Sequence, residues 1–309
     1  MSAGHNPTVS IGLPVYNAER YLSQTLDSIL GQTFTDFELI ISDNASSDGT
    51  EAICRQYASR DSRIAYYRSP KNVGLTGNFN RVFNLSSGRY FRWSSSDDLF
   101  APTSIEECVH ILDRYPDVAL CYPKTTLINA EGNVIGFYAD NLDVRFPDAV
   151  RRFRHVHLHL GLANVQYGLI RRDALGRTSL FGAYAGSDMV LIAELSLYGK
   201  FWEIPQYLFF RRMHNRAASA LRETSPESVQ ECWDSASKDK LCLYHWTHRL
   251  YEVKSICRSP RRIWDKIQLI CFLIGYTFRA RNNHLDELLS VGPQMVRKLR
   301  RTLAAHRGF

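Results

Sequence analysis

The sequence predicts an α/β protein: a mostly parallel sheet with helices on both faces, followed by a helical C-terminal part. Three observations lead there. Short apolar segments alternate with amphipathic segments of helical length from Thr8 to Tyr122, the pattern of right-handed βαβ units. Most of the apolar segments end in proline, carboxylates or polar turn residues, as strands do where they leave a sheet. From Pro226 onward the pattern is helical throughout, over 226–257, 261–281 and 284–305.

Thr8–Pro14 alternates apolar and small residues and stops at proline, as a first strand. After a loop over Val15–Glu19, a helix over 18–32 carries Leu22, Leu26, Ile29 and Leu30 on one stripe, with Asn17 as its N-cap. Phe37–Ile41 is a strand ending at Ser42-Asp43-Asn44, and the polar turn Ala45–Thr50 leads into a helix through Tyr57. Arg63–Arg68 forms a third strand, Leu75–Leu85 a short helix and Tyr90–Trp93 the next strand. Thr103-x-x-Glu106 has the spacing of a capping box. Val118–Tyr122 gives one more buried strand, after which the rhythm changes. Thr125–Ile128 and Val134–Tyr138 flank Asn129–Asn133 as a hairpin, Val150–Leu160 is helical and Asn164–Ile170 extended. Gly186-Ser187-Asp188 opens an apolar helix, and Phe201–Ile204 and Tyr207–Arg212 are strand-like.

The run Arg92–Pro102 organises the rest. It leaves an aromatic strand, turns polar at Ser94-Ser95-Ser96 and reaches the adjacent carboxylates Asp97 and Asp98. Acids at the carboxyl end of a strand in such a chain lie where α/β sheets bind ligands. Hard oxygen donors there suit Mg²⁺ or Mn²⁺ carrying a phosphorylated substrate. Capping a turn and a helix is the other role open to the same pair.

The 309 residues, 45% hydrophobic and 22% charged, suffice for one large α/β domain with or without an appendage. The start MSAGHNPTVS has no basic stretch followed by an apolar one, so no secretory signal is expected. Seven cysteines without a CxxC pair argue for reduced thiols in a cytoplasmic protein, against a disulfide framework or a zinc site. The net charge of +7 is uneven: Arg258–Phe309 holds 11 basic and 3 acidic residues, which leaves 27 and 28 in residues 1–257. The basicity belongs to the tail, and a general affinity for nucleic acid is not expected.

Several short elements now line up. Pro14-Val15-Tyr16-Asn17, Asp43–Thr50, Asn72-Val73-Gly74, Gly88 and Asp97-Asp98 occur in an order that resembles the family-2 glycosyltransferases. Gly186-Ser187-Asp188 and Arg211-Arg212-Met213-His214 with Ala218-Ser219 match acceptor-side elements of that family, so the resemblance spans roughly residues 7–220. It implies a GT-A-type, Rossmann-like fold with residues 1–222 as the glycosyltransferase domain and 223–309 as a basic helical extension. Within that domain 1–122 would be the nucleotide-sugar half and 123–222 the acceptor-side half. The implied reaction moves a sugar from a nucleotide diphosphate donor, a UDP-sugar, to an acceptor hydroxyl with inversion, using Mg²⁺ or Mn²⁺.

The resemblance also implies roles. Pro14 and Tyr16 line the base pocket with Asn17 close by, and Asp43 accepts a hydrogen bond from the base. Ser96 falls near the ribose with Asp98 just after it, Asp97 binds the metal, and His214 approaches the metal or the diphosphate. Asp188 is the general base; capping its own helix is compatible with that. Arg68, ending the third strand, reaches the nucleotide or is a solvated edge charge. The chain departs from the family at Ser95 and Ser187, where acids are usual. The departure at Ser95 touches the ribose contact more than the metal. Gln166 and Tyr167 are candidates to face the acceptor, and Arg171 and Arg172 are either phosphate contacts or solvated charges.

In the extension, Ile267–Gly275 continues to Phe278 as an apolar run of about a dozen residues, short of the ~20 that a membrane span needs. Arg258, Arg261, Arg262 and Lys266 precede it, Arg279 and Arg281 follow, and Trp264 lies beside it. This fits a helix in a membrane interface against anionic lipid, and equally one packed on the domain with its charges solvated. The last helix, with Val296, Leu299 and Leu303, shares the ambiguity. The expected location is cytoplasmic, peripheral on the membrane in the first case, with a glycan or lipid-linked glycan as acceptor in polysaccharide or glycolipid synthesis. Two other readings compete. A sugar nucleotidyltransferase would carry an early glycine-rich loop with a basic residue, which Gly12–Asn17 lacks. A non-catalytic scaffold in polysaccharide assembly stays open because of Ser95 and Ser187.

Overall fold

In a computed structural model, which describes residues 6–214, 243–289 and 291–292, the chain is built on one nine-stranded sheet. Its first half is wholly parallel. Strands β1 (Val9–Val15), β2 (Phe37–Asp43), β3 (Ile64–Arg68) and β4 (Tyr90–Trp93) lie in the order β3-β2-β1-β4. Helices α1 (Leu22–Leu30), α2 (Thr50–Ala58) and α3 (Gly74–Asn84) connect them. The second half is mixed. It comprises β5 (Leu99–Phe100), α4 (Ser104–Arg114), β6 (Val118–Ile128), β7 (Val134–Tyr138), α5 (Ala149–His159), β8 (Leu169–Arg171), α6 (Arg172–Leu175), α7 (Ser187–Leu195) and β9 (Lys200–Arg212). The sheet continues from β4 as β8-β6-β9-β5, with β7 pairing β6 at the side. Helices α8 (Tyr244–Arg258) and α9 (Ile263–Arg279) follow.

Two hydrophobic clusters cover the two faces of the sheet, which is why its central strands are apolar throughout. Val9, Ile11, Leu13 and Val15 of β1 pack with α1 and α4, while Phe91 and Trp93 of β4 pack with α3 and the second half. The alternate positions of β1 are small for a reason. A Cβ on Gly12 would stand 2.7 Å from both Phe91 Cζ and Val82 Cγ2, so only glycine lets α3 lie this close to the strand.

Local expectations fail at three places. Asn17 does not cap α1, which begins later, at Leu22 after Tyr21; it takes a left-handed φ of 49° and its Oδ1 accepts from Ser47 N. The capping box does not form, because Glu106 accepts from Thr33 Oγ1 at 2.7 Å and no side chain caps α4. Asn164–Tyr167 is a turn of 3₁₀ helix, with extension only over β8. In the first two cases a partner distant in the sequence outcompetes the local one. The hairpin forms, but its first strand is continuous with Val118–Tyr122 as β6, and the two segments at 201–212 merge as β9.

The C-terminal helices pack on this body. Ile256, Leu269, Phe272 and Leu273 share a core with Phe153, Val156 and Leu191. Arg258 Nη2 meets the fully buried Glu194 Oε1 at 2.5 Å, and His157 Nδ1 lies 2.7 Å from Glu252 Oε1. Among the described residues no helix is long and apolar enough to cross a membrane. Their five cysteines are all free, with Cys54, Cys108 and Cys121 buried. Ala218-Ser219, Val296, Leu299, Leu303 and residues 226–242 of the expected helix lie outside the described residues.

Candidate active site

Parallel register sets the carboxyl ends of three strands side by side, with Arg68 opposite Asp43 and Asp43 opposite Val15. Past β4, Ser94 N donates to Gly12 O at 2.9 Å, which starts the acidic turn at the same edge. Asp43 is fully buried: Oδ1 accepts from Ser46 N and Oδ2 from the Tyr66 hydroxyl, each at 2.9 Å. A carboxylate has about four acceptor positions, so Asp43 keeps capacity for one more donor. Arg68 is a brace here. Its Nε lies 2.7 Å from Glu51 Oε2 and 3.5 Å from Asp43 Oδ2, and Nη2 donates to Ser46 O. Pro14 is buried beside these groups, and Tyr16 just past it leaves half its surface open to solvent (51%). Two of the sequence motifs prove to be tied together by Asn44, which donates to Asn72 Oδ1 at 2.9 Å and accepts from Val73 N at 2.8 Å.

The antiparallel pairing of β5 with β9 carries the acidic turn to the end of β9, with Leu99 opposite Phe210. His214 Nε2 therefore lies 2.8 Å from Asp97 Oδ2, while Ser95 Oγ donates to Asp97 Oδ1. Burial works against ionisation of Asp97, but these bonds to His214 and Ser95 hold its carboxyl below the usual range. Asp98 behaves differently. It is buried, its Oδ1 accepts from Arg212 N at 2.7 Å, and burial together with the Asp97 charge pushes its carboxyl well above the usual range. Asp98 thus fastens β9 through the Arg212 N–H. Ser96 is half-buried on the turn just before them. Arg212, whose Nε donates to Asp97 O and whose Nη2 donates to Gln24 Oε1, locks the same turn; nothing local in the sequence marks that role.

The donor set fits a divalent ion completed from outside the protein. Asp97 and His214 face each other, and among the described residues no third His, Cys, Asp or Glu completes a cluster able to hold an ion unaided. Mg²⁺ and Mn²⁺ accept two protein ligands when substrate phosphates and water supply the others.

Asp188 comes from a helix, α7, and not from a strand end. The half-buried Tyr167 phenol is pushed up first by burial and then by the charges of Asp98, Asp97 and Asp188. Asp188 sits in the first turn of α7, buried, and its Oδ1 accepts from Met189 N at 2.9 Å. The turn before it needs glycine: Gly186 has φ +75°, and a Cβ would stand 2.6 Å from His248 Nε2. His248 Nε2 lies 2.9 Å from the Ala185 carbonyl, so α8 pins the approach to Asp188. His245, His248 and Glu252 recur at i, i+3 and i+7, a helix-face signal that would have singled out this inward side of α8.

Gln166 is buried beside Tyr167. Arg171 and Arg172 are neither phosphate contacts nor solvated charges. Arg171 donates to the carbonyls of Val118, Leu112 and Tyr115, and Arg172 to Ser86 O.

Asp140 went unnoticed in the sequence. It is buried, and burial, then the charge of Glu203, raise its carboxyl to about 7 against the relief given by Arg211 and by the backbone N–H groups of Asn164 and Val165. Between the ordinary 3.8 and about 7 the folded chain holds a proton there that the unfolded chain has lost. Stability therefore falls as pH rises through that window. Asp140→Asn is expected to raise the unfolding free energy at pH 8 by up to about 4 kcal/mol and to change little at pH 4. Urea melts at the two pH values measure it.

Residues 10–157 match the family described as Glycosyl transferase family 2. An uncharacterized glycosyltransferase of Rickettsia prowazekii is 34% identical over 243 residues, which cover 76% of this chain and 73% of that relative. The chain belongs to glycosyl transferase family 2. Chondroitin synthase of Escherichia coli is 33% identical to this family-2 chain over 129 residues, 42% of the chain and 19% of the synthase. An uncharacterized glycosyltransferase of Methanocaldococcus jannaschii is 29% identical over 154 residues, 49% of the chain and 53% of the relative. The chain thus spans about half or less of the length of these last two relatives.

Among solved structures, Staphylococcus aureus TarS 1–349 in complex with UDP-GlcNAc superposes with a TM-score of 0.64 at 15% identity, over 88% of this chain and 73% of that one. The mannosyltransferase PcManGT of Pyrobaculum calidifontis, in complex with GDP-Man and Mn²⁺, gives 0.50 at 14% identity, over 96% and 88%. At such identities the likeness is one of fold, the GT-A α/β architecture.

Proposed function

We propose that this family-2 chain transfers a sugar from a UDP-sugar to a hydroxyl of a glycan or lipid-linked glycan, with inversion, in polysaccharide or glycolipid synthesis. The observation that carries the reading is the Asp97–His214 pair, 2.8 Å apart, with Asp43 buried at the carboxyl end of β2; the charge of Asp188, in the first turn of α7, also acts on Tyr167. The UDP-GlcNAc bound by TarS and the name of chondroitin synthase support the donor and product classes.

In this reading Pro14 and Tyr16 flank the base, with Asn17 close by, and Asp43 accepts from its N–H. Arg68 holds Asp43 in place, and Ser96 lies by the ribose. Asp97 and His214 hold Mg²⁺ or Mn²⁺, which when bound offsets the negative charge of the departing diphosphate. Asp188 takes the acceptor proton as the acceptor oxygen bonds to the anomeric carbon and the bond from that carbon to the diphosphate breaks. Residues 1–222 form the transferase unit, with 1–122 on the donor side and 123–222 on the acceptor side, and 223–309 its extension; it works in the cytoplasm or at its membrane face.

The test is a panel of nucleotide sugars with Mn²⁺, read by thermal shift and by released product. A UDP-sugar at about 100 times its Kd stabilises the fold by about 2.7 kcal/mol, a shift of several degrees, and free UDP follows on adding acceptor. Pyrophosphate in place of UDP, or no shift with any nucleotide sugar, would overturn the proposal.

A further inference from the structure

Helix α9 is apolar on two opposite sides, and the sequence alternatives of packing or membrane contact become two faces of one helix. Leu269, Phe272 and Leu273 point into the body. On the other side Ile263 (65% exposed), Trp264 (70%), Ile267, Ile274 and Phe278 (70%) face solvent. At 100° per residue these five positions fall within an arc of about 100°, and the strip runs about 22 Å along the axis. Basic groups stand at both ends. From Arg258 to Arg281 the chain has six Lys/Arg and one acidic residue, Asp265, and Arg262, Arg279 and Arg281 are exposed.

We infer that this outward face docks on an anionic phospholipid bilayer, lying in the plane of the interface with Trp264 and Phe278 inserted and the arginines at the headgroups. Charge decides between the two apolar occupants. A second copy of the chain would bring a basic helix end against a basic helix end in either alignment, which is repulsive. An anionic leaflet meets both ends with opposite charge and takes the aromatic strip into its acyl boundary. Arginine stems also suit that depth, since they keep their heads in water. The surface is distinct from the proposed active site; its use in reaching a lipid-linked acceptor rests on the function proposed above.

The experiment uses the full chain and vesicles of phosphatidylcholine with or without one quarter phosphatidylglycerol. The protein is expected to co-sediment with the anionic vesicles, less so as salt rises, and about tenfold or more weakly with the neutral ones. Trp264→Ser/Phe278→Ser is expected to cut anionic partitioning by about 100-fold while leaving UDP release from the donor without vesicles unchanged. If that variant does not fold, Arg262→Glu/Arg279→Glu replaces it, with at least a tenfold loss expected. No binding to anionic vesicles, or variants that bind as wild type, overturns the inference. So does a wild-type dimer by light scattering that the double variant abolishes. UDP release from the wild-type chain reads the proposed function separately from the docking.

Discussion

Asp188→Asn is expected to lower the rate of sugar transfer by about 10²–10⁴-fold or more and to leave donor affinity as it is. The amide keeps an oxygen for the Met189 N–H that Asp188 now satisfies, and asparagine is accepted near a helix start, so the α7 turn should hold. What disappears is the proton acceptor. In the proposed reading its loss bears on the acceptor hydroxyl alone, because the nucleotide would be gripped at the strand ends near Asp43 and Asp97. Turnover measured with saturating donor and acceptor, beside calorimetry of UDP binding with Mn²⁺, separates the two effects. Wild-type turnover would remove Asp188 from the mechanism. Lost donor affinity with an intact melting curve would move it to the donor site.

Asp97→Ala is expected to weaken metal-dependent UDP binding by at least about 100-fold, with little change in the binding that persists in EDTA. Alanine removes one of the two donors proposed for the metal, and it leaves His214 without the carboxylate 2.8 Å away. The turn itself should survive. Arg212 is held by Asp98 through its backbone N–H and by the backbone carbonyl of residue 97, neither of which the substitution touches. Titrations of UDP with and without Mn²⁺ read the loss directly. Equal affinities for the variant and the wild type would refute the metal role of Asp97.

The two neighbouring aspartates show how far the sequence could be read. Both stand at the end of a strand in a ligand-binding position, and on spacing alone they look alike. Contacts made by β9, more than a hundred residues later, separate them: Asp97 meets His214, and Asp98 turns in to meet a backbone N–H. The same limit explains Asn17, Glu106, Arg171 and Arg172. Each has a plausible local role, and each spends its polar groups on a segment distant in the chain.

Periodicity was legible because it reflects burial on two sides of a sheet: a fully covered strand must be apolar throughout, and a covering helix must be striped. That settled the α/β class, the order of the first four strands' segments, the hairpin and the approach of glycine and acid at residues 186–188. Motif order likewise pointed to Asp43, Asp97, Asp188 and His214 as one set. Only the tertiary structure decided how β5 pairs with β9, that Arg212 locks the acidic turn, that Asp140 is buried with a raised carboxyl, and that α9 has two apolar sides. A pattern records which residues avoid water. It does not record which neighbour each of them meets, and charge, hydrogen bonding and therefore chemistry depend on that neighbour.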